Sequence, residues 1–394
     1  MPRRAPVLPC AAMPVRDPLD ELRLLLRPAG GGVHLVSTGR AEQLALQRQL
    51  YGVADEAAVQ DAFVAQLAAI ADAKVIMLGV PSDVGAGFRR GANLGPQAIR
   101  AALLRDQPDW REQQRARGVL DIGDVFVVPQ LLADDLLSAD ALARCRRALY
   151  PGEADAGDLP VSPLTIAERA LDLAFGINPD LGLFVMGGDH STAWPAVAAM
   201  ARARTRRLGA PTMAIVQPDA HTDLLPERLG VPICFATWSY HANDLIGRQG
   251  RMVQVGTRAS RFPREHWERS LDVRQFWAAE CRARPAEALD ELIAHVEARG
   301  LPVYFSNDID GTDDHYADAT GTPEPDGLEP DFVVELIRRL GAGVGLIGGD
   351  IMEVAPPLGP DGGARTLELA ARYTRETLDQ LVVSAMRPRY TPAP

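Results

Sequence analysis

From Lys74 onward, short apolar runs alternate with segments in which apolar residues recur every three or four positions. The first run, VIMLGV, is ended by Pro81 and reads as a strand buried on both faces, because a solvated face would break the run with polar residues. Further runs at 181–186, 213–216, 252–255, 303–305 and 344–347 predict more strands. Helical periodicity covers 98–104, about 191–208, 285–299, 330–340 and about 364–385. Strand and helix in alternation predict βαβ units, hence an α/β fold on a mostly parallel sheet.

The flanks read differently. Residues 1–30 are rich in Pro and Arg, with one apolar helical patch near 22–26, and Gly30, Gly31 and Gly32 mark a break. A short strand is predicted at 33–36 and one helix over 40–71, while 151–163 reads as a loop of Pro, Gly and Asp. The expected organisation is an extension at 1–72, partly disordered and partly helical, a main domain at 73–388, and a tail at 389–394. The opening MPRRAPVLPCAAMPVR is interrupted by proline and reads as a disordered leader rather than a signal peptide.

Composition narrows the class. The chain has 394 residues, 47% hydrophobic and 24% charged, enough for a large core. A net charge of -11 argues against nucleic acid as a partner, since phosphate binding needs clustered Lys and Arg, and it suits a cationic small molecule. The 4 cysteines form no CxxC pair, which fits a reducing cytoplasm. No apolar run is long enough to span a membrane.

Four clusters carry chemistry, each placed at the end of a predicted strand, where sites of open α/β sheets gather. They are Gly187-Gly188-Asp189-His190-Ser191, Asp219-Ala220-His221-Thr222-Asp223, Ser306-Asn307-Asp308-Ile309-Asp310, and Gly348-Gly349-Asp350-Ile351-Met352-Glu353. In an extended segment alternate side chains share a face, so Asp219, His221 and Asp223 are expected to converge, and Asp308 with Asp310. Clustered carboxylates repel unless a cation or a proton relieves them. Two histidines and four aspartates, without a thiolate, suit a pair of divalent ions such as Mn²⁺.

These motifs, with GVPSDVGAGFRRGANLGPQAIR at 79–100 and ATGTPEPDGLEP at 319–330, occur in the order found in the ureohydrolase superfamily of arginases and agmatinases. The chain resembles that family over about 74–387, agmatinase-like members more than true arginases. The resemblance implies a three-layer α/β/α arginase-like fold and a C–N hydrolase that releases urea from a guanidino compound. It implies His190 and Asp223 on one ion, His221 and Asp310 on the other, and Asp219 and Asp308 bridging. Mn²⁺ is expected, with Ni²⁺ the alternative. Asp223 would orient the attacking hydroxide and pass a proton to the leaving amine, Glu353 would hold the guanidinium, and Thr322 would line the same pocket. A homo-oligomer, trimer or hexamer, is implied as well.

The sequence departs from the family in one stretch. LLPERLGVPICFATWSYHAND, at 224–244, lacks the family's proton-shuttling histidine; Cys234 falls nearest in spacing, and His241 is the candidate replacement. The arginase loop that grips an α-carboxylate is missing too, which disfavours arginine. Phe235, Trp238 and Tyr240 suit either a pocket wall or the core, and His34 and Arg40 either a lid or plain surface. Hydrolysis of free guanidine or of a formimino compound, a related deacetylase-like amidohydrolase, and a non-catalytic metal-binding subunit remain as alternatives.

Overall fold

Along each strand of the main sheet, successive side chains enter two different apolar layers. Ile76, Leu78, Leu183, Val185 and Ile215 pack into one, with the helices Pro163–Ile177 and Ala193–Leu208. Val75, Met77, Phe184, Met186 and Val216 pack into the other, with Pro285–Glu297, Pro330–Ala342 and Ala364–Ala385. Both faces are covered, which is why the strands read as unbroken apolar runs. The computed structural model describes residues 16–153 and 156–386. The leader, apart from Arg16, and the tail at 389–394 lie outside them.

The strands are β1 (Leu26–Arg27), β2 (Val75–Gly79), β3 (Val119–Val125), β4 (Gly182–Met186), β5 (Ala214–Pro218), β6 (Met252–Thr257), β7 (Arg274–Trp277), β8 (Val303–Asp308) and β9 (Leu346–Met352). Their order is β1-β3-β2-β4-β9-β8-β5-β6-β7, parallel throughout except that β1 runs antiparallel to β3. The α/β, three-layer expectation therefore holds. In the middle of the sheet, β4, β9, β8 and β5 are neighbours, and all four chemical clusters leave from their carboxyl ends.

Several boundaries differ from the sequence expectation. The helix expected over 40–71 is two, Arg40–Tyr51 and Glu56–Ala68; Gly52 adopts φ 65° and caps the first with its N–H. Residues 33–36 form no strand; Val33 makes a single bridge to Val127. The strand expected at 344–347 lies two residues later, so Gly348, Gly349 and Asp350 sit inside β9, and Ser306, Asn307 and Asp308 inside β8. In the stretch read as a loop at 151–163, Ala156–Asp158 is a short 3-10 turn and Pro163 already opens a helix. Strands β3 and β7 were hidden because polar residues interrupt them. In β3, Asp121 and Asp124 are neutralised by the buried Arg100, whose Nε lies 2.8 Å from Asp121.

The segment before residue 73 is tied to this body. β1 covers the β3 edge, and the buried Glu21 of helix Pro18–Leu25 accepts a hydrogen bond of 2.6 Å from Arg169. His34 packs edge-on against Phe126, and Arg40 bonds Gln43 and Glu56. Neither lines the pocket described next, which favours the surface reading over a lid.

Candidate metal centre

The β4 turn needs glycine for space. A Cβ on Gly188 would lie 1.7 Å from the Ser82 carbonyl oxygen, and one on Gly187 would lie 1.9 Å from Met352 Sδ. This close packing brings the chain out so that Asp189 can accept from Gly85 N (3.0 Å) and Ser191 N (2.9 Å), tying loop 82–91 to the turn, while His190 points inward.

His190 Nδ1 meets three carboxylates: Asp308 Oδ2 at 2.9 Å, Asp219 Oδ2 at 3.3 Å and Asp223 Oδ2 at 3.3 Å. His221 Nδ1 lies 3.2 Å from Asp310 Oδ2 and 3.6 Å from Asp219 Oδ1. Two groups of potential ligands result, His190–Asp219–Asp223 and Asp219–His221–Asp310, with Asp219 in both. The six residues expected from the sequence thus come together. They do so by another route than simple alternation. Asp223 turns back at φ 51°, a left-handed conformation that is strained for a non-glycine residue. Residues Ile309–Gly311 form a 3-10 turn in which Asp308 accepts from Asp310 N.

Charge shows what the cluster wants. Burial alone would push both imidazoles down, yet the carboxylates carry His190 well above its ordinary value and His221 up to about 12. Burial and then the Asp219 charge push Asp223 up to about 6; burial, Asp310 and Asp219 hold Asp308 well above the carboxylate range. Buried carboxylates in such numbers call for positive charge, supplied here by protons on histidine and equally suppliable by cations. The donor set, four carboxylates and two imidazole Nδ1 atoms, fits two divalent ions. His190 Nδ1 has no hydrogen-bond partner in good geometry despite its close neighbours, as a ligand atom aimed at an ion would.

Outer groups fix the ligands. His190 Nε2 lies 3.1 Å from Ser306 Oγ, which lies 3.0 Å from both oxygens of buried Asp350. Trp238 donates from Nε1 to Asp223 Oδ2 (3.0 Å), and its ring packs 4.5 Å from that of His190. Asp219 Oδ2 accepts from Gln217 (2.6 Å), and behind Gln217 stand Gln254 and Gln275. These three are register partners on β5, β6 and β7, linked amide to amide at 3.0 and 2.8 Å. Sequence reasoning assigned no role to Asp350, Ser306 or the glutamines; the available signal was polar residues within or directly after apolar strand runs.

Above the centre opens a pocket of about 540 Å³, lined among others by His221, Thr322, Glu353, Cys234 and Phe235. Glu353, at φ 61°, accepts from His190 N at 3.0 Å through Oε1, and burial, then Asp189, raises it well above its ordinary value. Thr322 Oγ1 donates to Asp310 Oδ2 at 3.0 Å. Of the three aromatics, Phe235 is pocket wall, Trp238 is buried beside the ligands, and Tyr240 packs against the core.

His241 sits elsewhere. Its Nε2 lies 3.1 Å from the Pro226 carbonyl and 3.0 Å from that of Pro232, so that nitrogen must donate; its ring packs on Trp194 and Tyr240. It belongs to neither ligand group and does not line the pocket. The structure therefore does not bring His241, the expected proton shuttle, to the ligand groups; its ring holds loop 226–232.

A sequence profile described as the arginase family matches residues 73–379. This chain belongs to the arginase family. The family is one of binuclear metal enzymes. The chain is 31% identical over 304 residues to a guanidinobutyrase of Pseudomonas aeruginosa, covering 74% of this chain and 81% of the relative. It is 30% identical to a mitochondrial guanidino acid hydrolase of Homo sapiens, covering 76% of each. Among solved structures, agmatine ureohydrolase of Thermoplasma volcanium is similar with TM-score 0.59 and 25% identity, over 79% of this chain and 90% of that one.

Proposed function

We propose that this arginase-family protein hydrolyses a guanidino C–N bond and releases urea, as an agmatinase-like or guanidino-acid hydrolase. The observation that carries the reading is the coincidence of two ligand groups sharing Asp219 with a buried carboxylate, Glu353, facing the same pocket. The names of the relatives, guanidinobutyrase and guanidino acid hydrolase, support it and do not favour free guanidine, a formimino compound or a non-catalytic role.

His190, Asp219, His221, Asp223, Asp308 and Asp310 would hold two divalent ions, which supply a water of lowered pKa and a place for negative charge to build up. Mn²⁺ is our assignment from the hard oxygen donors, with Ni²⁺ the alternative. Glu353 binds the substrate: a guanidinium stays charged at any working pH, and its fork of N–H groups meets Oε2 while His190 N holds Oε1. Thr322 steadies Asp310 at the pocket floor. Asp223, with Oδ2 held by Trp238, would orient the attacking water, take the proton it releases and pass it to the departing amine. We further propose a cytoplasmic homo-oligomer, trimer or hexamer. Residues 1–72 would be an extension of a catalytic domain at 73–388, with a tail at 389–394; the family match beginning at 73 supports that division. No helix among the described residues is long and apolar enough to cross a membrane.

The test is urea release by purified protein reconstituted separately with Mn²⁺ and Ni²⁺, from agmatine, guanidinobutanoate, guanidinopropanoate, arginine and free guanidine. Urea from a guanidino compound, abolished by Asp223→Ala, is expected. Silence across the panel with two ions bound per chain would sink the reading.

A further inference from the structure

The pocket is lined by charge of both signs. Glu353 is buried, while Arg89, half-buried, and the exposed Arg228 are its lining arginines. Neither arginine has a carboxylate partner among the described residues. What distinguishes them from other arginines without an ion pair is that both line the pocket that holds Glu353. Their neighbour Arg90 is tied to Asp83, and Arg258 is spent on the carbonyls of Asp310, Glu324 and Pro325. Arg228 is exposed, and its guanidinium lies 4.8 Å above the Phe235 ring on the pocket wall. Arg89 is half-buried, and its main chain runs past Gly321. A Cβ there would lie 3.5 Å from the Arg89 carbonyl oxygen and 3.6 Å from Glu353 Oε2. Gly321 thus adjoins both the Arg89 main chain and the Glu353 carboxyl group. Val84, Val231 and Phe235 add apolar wall.

A buried carboxyl group, apolar wall residues and two guanidinium groups without carboxylate partners around one cavity suit a molecule of mixed polarity: a cationic guanidinium, a short methylene chain and an anionic end. The geometry points to a carboxylate-binding subsite formed by Arg89 and Arg228, which makes guanidino carboxylates the substrate class and selects against agmatine. This rests on the guanidino-hydrolase reading above and deepens it. An ammonium tail in the same place would be desolvated against like charge, whereas a carboxylate gains charge-assisted hydrogen bonds from planar forks. With a net charge of -11 the chain as a whole favours cations, so discrimination against the amine must be local. Glu227, next to Arg228 in sequence, forms no ion pair with it among the described residues. Glu324, 3.8 Å from His221 Nε2, stands on the side of His221 and does not line the pocket.

The experiment compares 4-guanidinobutanoate, agmatine and uncharged-tailed butylguanidine on the Mn²⁺-loaded full chain, by urea release and by calorimetric binding. The carboxylate should exceed agmatine about tenfold in kcat/KM and in affinity, with butylguanidine between them. In Arg89→Met and Arg228→Met the ratio should shrink, and in the double Arg→Glu variant it should invert. A ratio of two ligands on one sample is insensitive to the fraction folded, so a poorly folding variant still reports. Agmatine equal to or better than the carboxylate, or a ratio unmoved in the variants, would overturn the subsite. Preferential carboxylate binding without urea from any compound would instead sink the hydrolase reading and leave the subsite standing.

Discussion

Trp238 makes two contacts that matter at the centre: its Nε1 restrains Asp223, and its ring packs on His190. Trp238→Phe keeps most of the ring and removes the donor. We expect metal affinity or turnover to fall by about 10–100-fold, as for other groups that orient a ligand, with little change in melting temperature. Metal titration beside a thermal scan checks this, and unchanged affinity and turnover would remove Trp238 from the list of orienting groups. At the same scale, His295 offers a pH effect outside the centre. Burial lowers its pKa, and its Nε2 bonds the Gly250 carbonyl at 2.9 Å. The unfolded chain therefore takes up the proton first as pH falls below about 6.5, so folded stability declines there and the effect vanishes above it. His295→Gln keeps a donor and abolishes the titration. Denaturant melts of both proteins should agree near neutral pH and diverge in favour of the variant as pH drops; parallel curves would refute it.

The informative elements are β5, β6 and β7, where glutamines sit in register deep in the sheet. Gln254 donates to Gln217 and to the Thr222 carbonyl, and it accepts from Gln275, which in turn accepts from Trp277. Cutting the ladder with Gln254→Leu leaves several buried polar groups unpaired at about 1–3 kcal/mol each. The same change loosens Gln217 and, through it, Asp219. A lowered denaturant midpoint together with weakened metal binding is expected; loss of stability with metal affinity intact would make the ladder purely architectural. β7 was illegible in the sequence because Arg274 and Gln275 interrupt its apolar residues. β3 was hidden likewise by aspartates whose partner, Arg100, is on a distant helix. By contrast β2, β4 and β8 were plain, because both faces of each meet an apolar layer and no polar partner was needed to explain them.

For the molecule as a whole, four carboxylates are packed at the middle of the sheet, and their mutual repulsion is a cost that divalent cations relieve. A species that binds the folded chain and not the unfolded one raises the melting temperature by mass action. Dialysis against EDTA should therefore lower it, and added Mn²⁺ should restore it. An unchanged scan with the metals shown to be gone would mean that histidine protonation alone suffices. Loop 82–91 depends on the same region through Asp189, so metal-free protein should also lose hydrogen-exchange protection at Gly85.

By itself the sequence determined the α/β class and the central strands, and it named six candidate ligand residues and Glu353. Strands buried on both faces leave an apolar signature, and carboxylates and imidazoles at their ends have few other uses. Whether those residues met, and which of their neighbours served them, was decided only by tertiary structure. His241 and Cys234 lie close in sequence, yet one is turned to two proline carbonyls and the other to the pocket. The convergence of Asp219, His221 and Asp223 required a left-handed turn that no residue pattern announced. Arg89 and Arg228, more than a hundred residues apart, line one cavity, Arg89 from loop 82–91, which Asp189 ties to the β4 turn, and Arg228 from loop 226–232. Spatial adjacency between distant segments is set by the packing of the whole chain, and local periodicity carries no record of it.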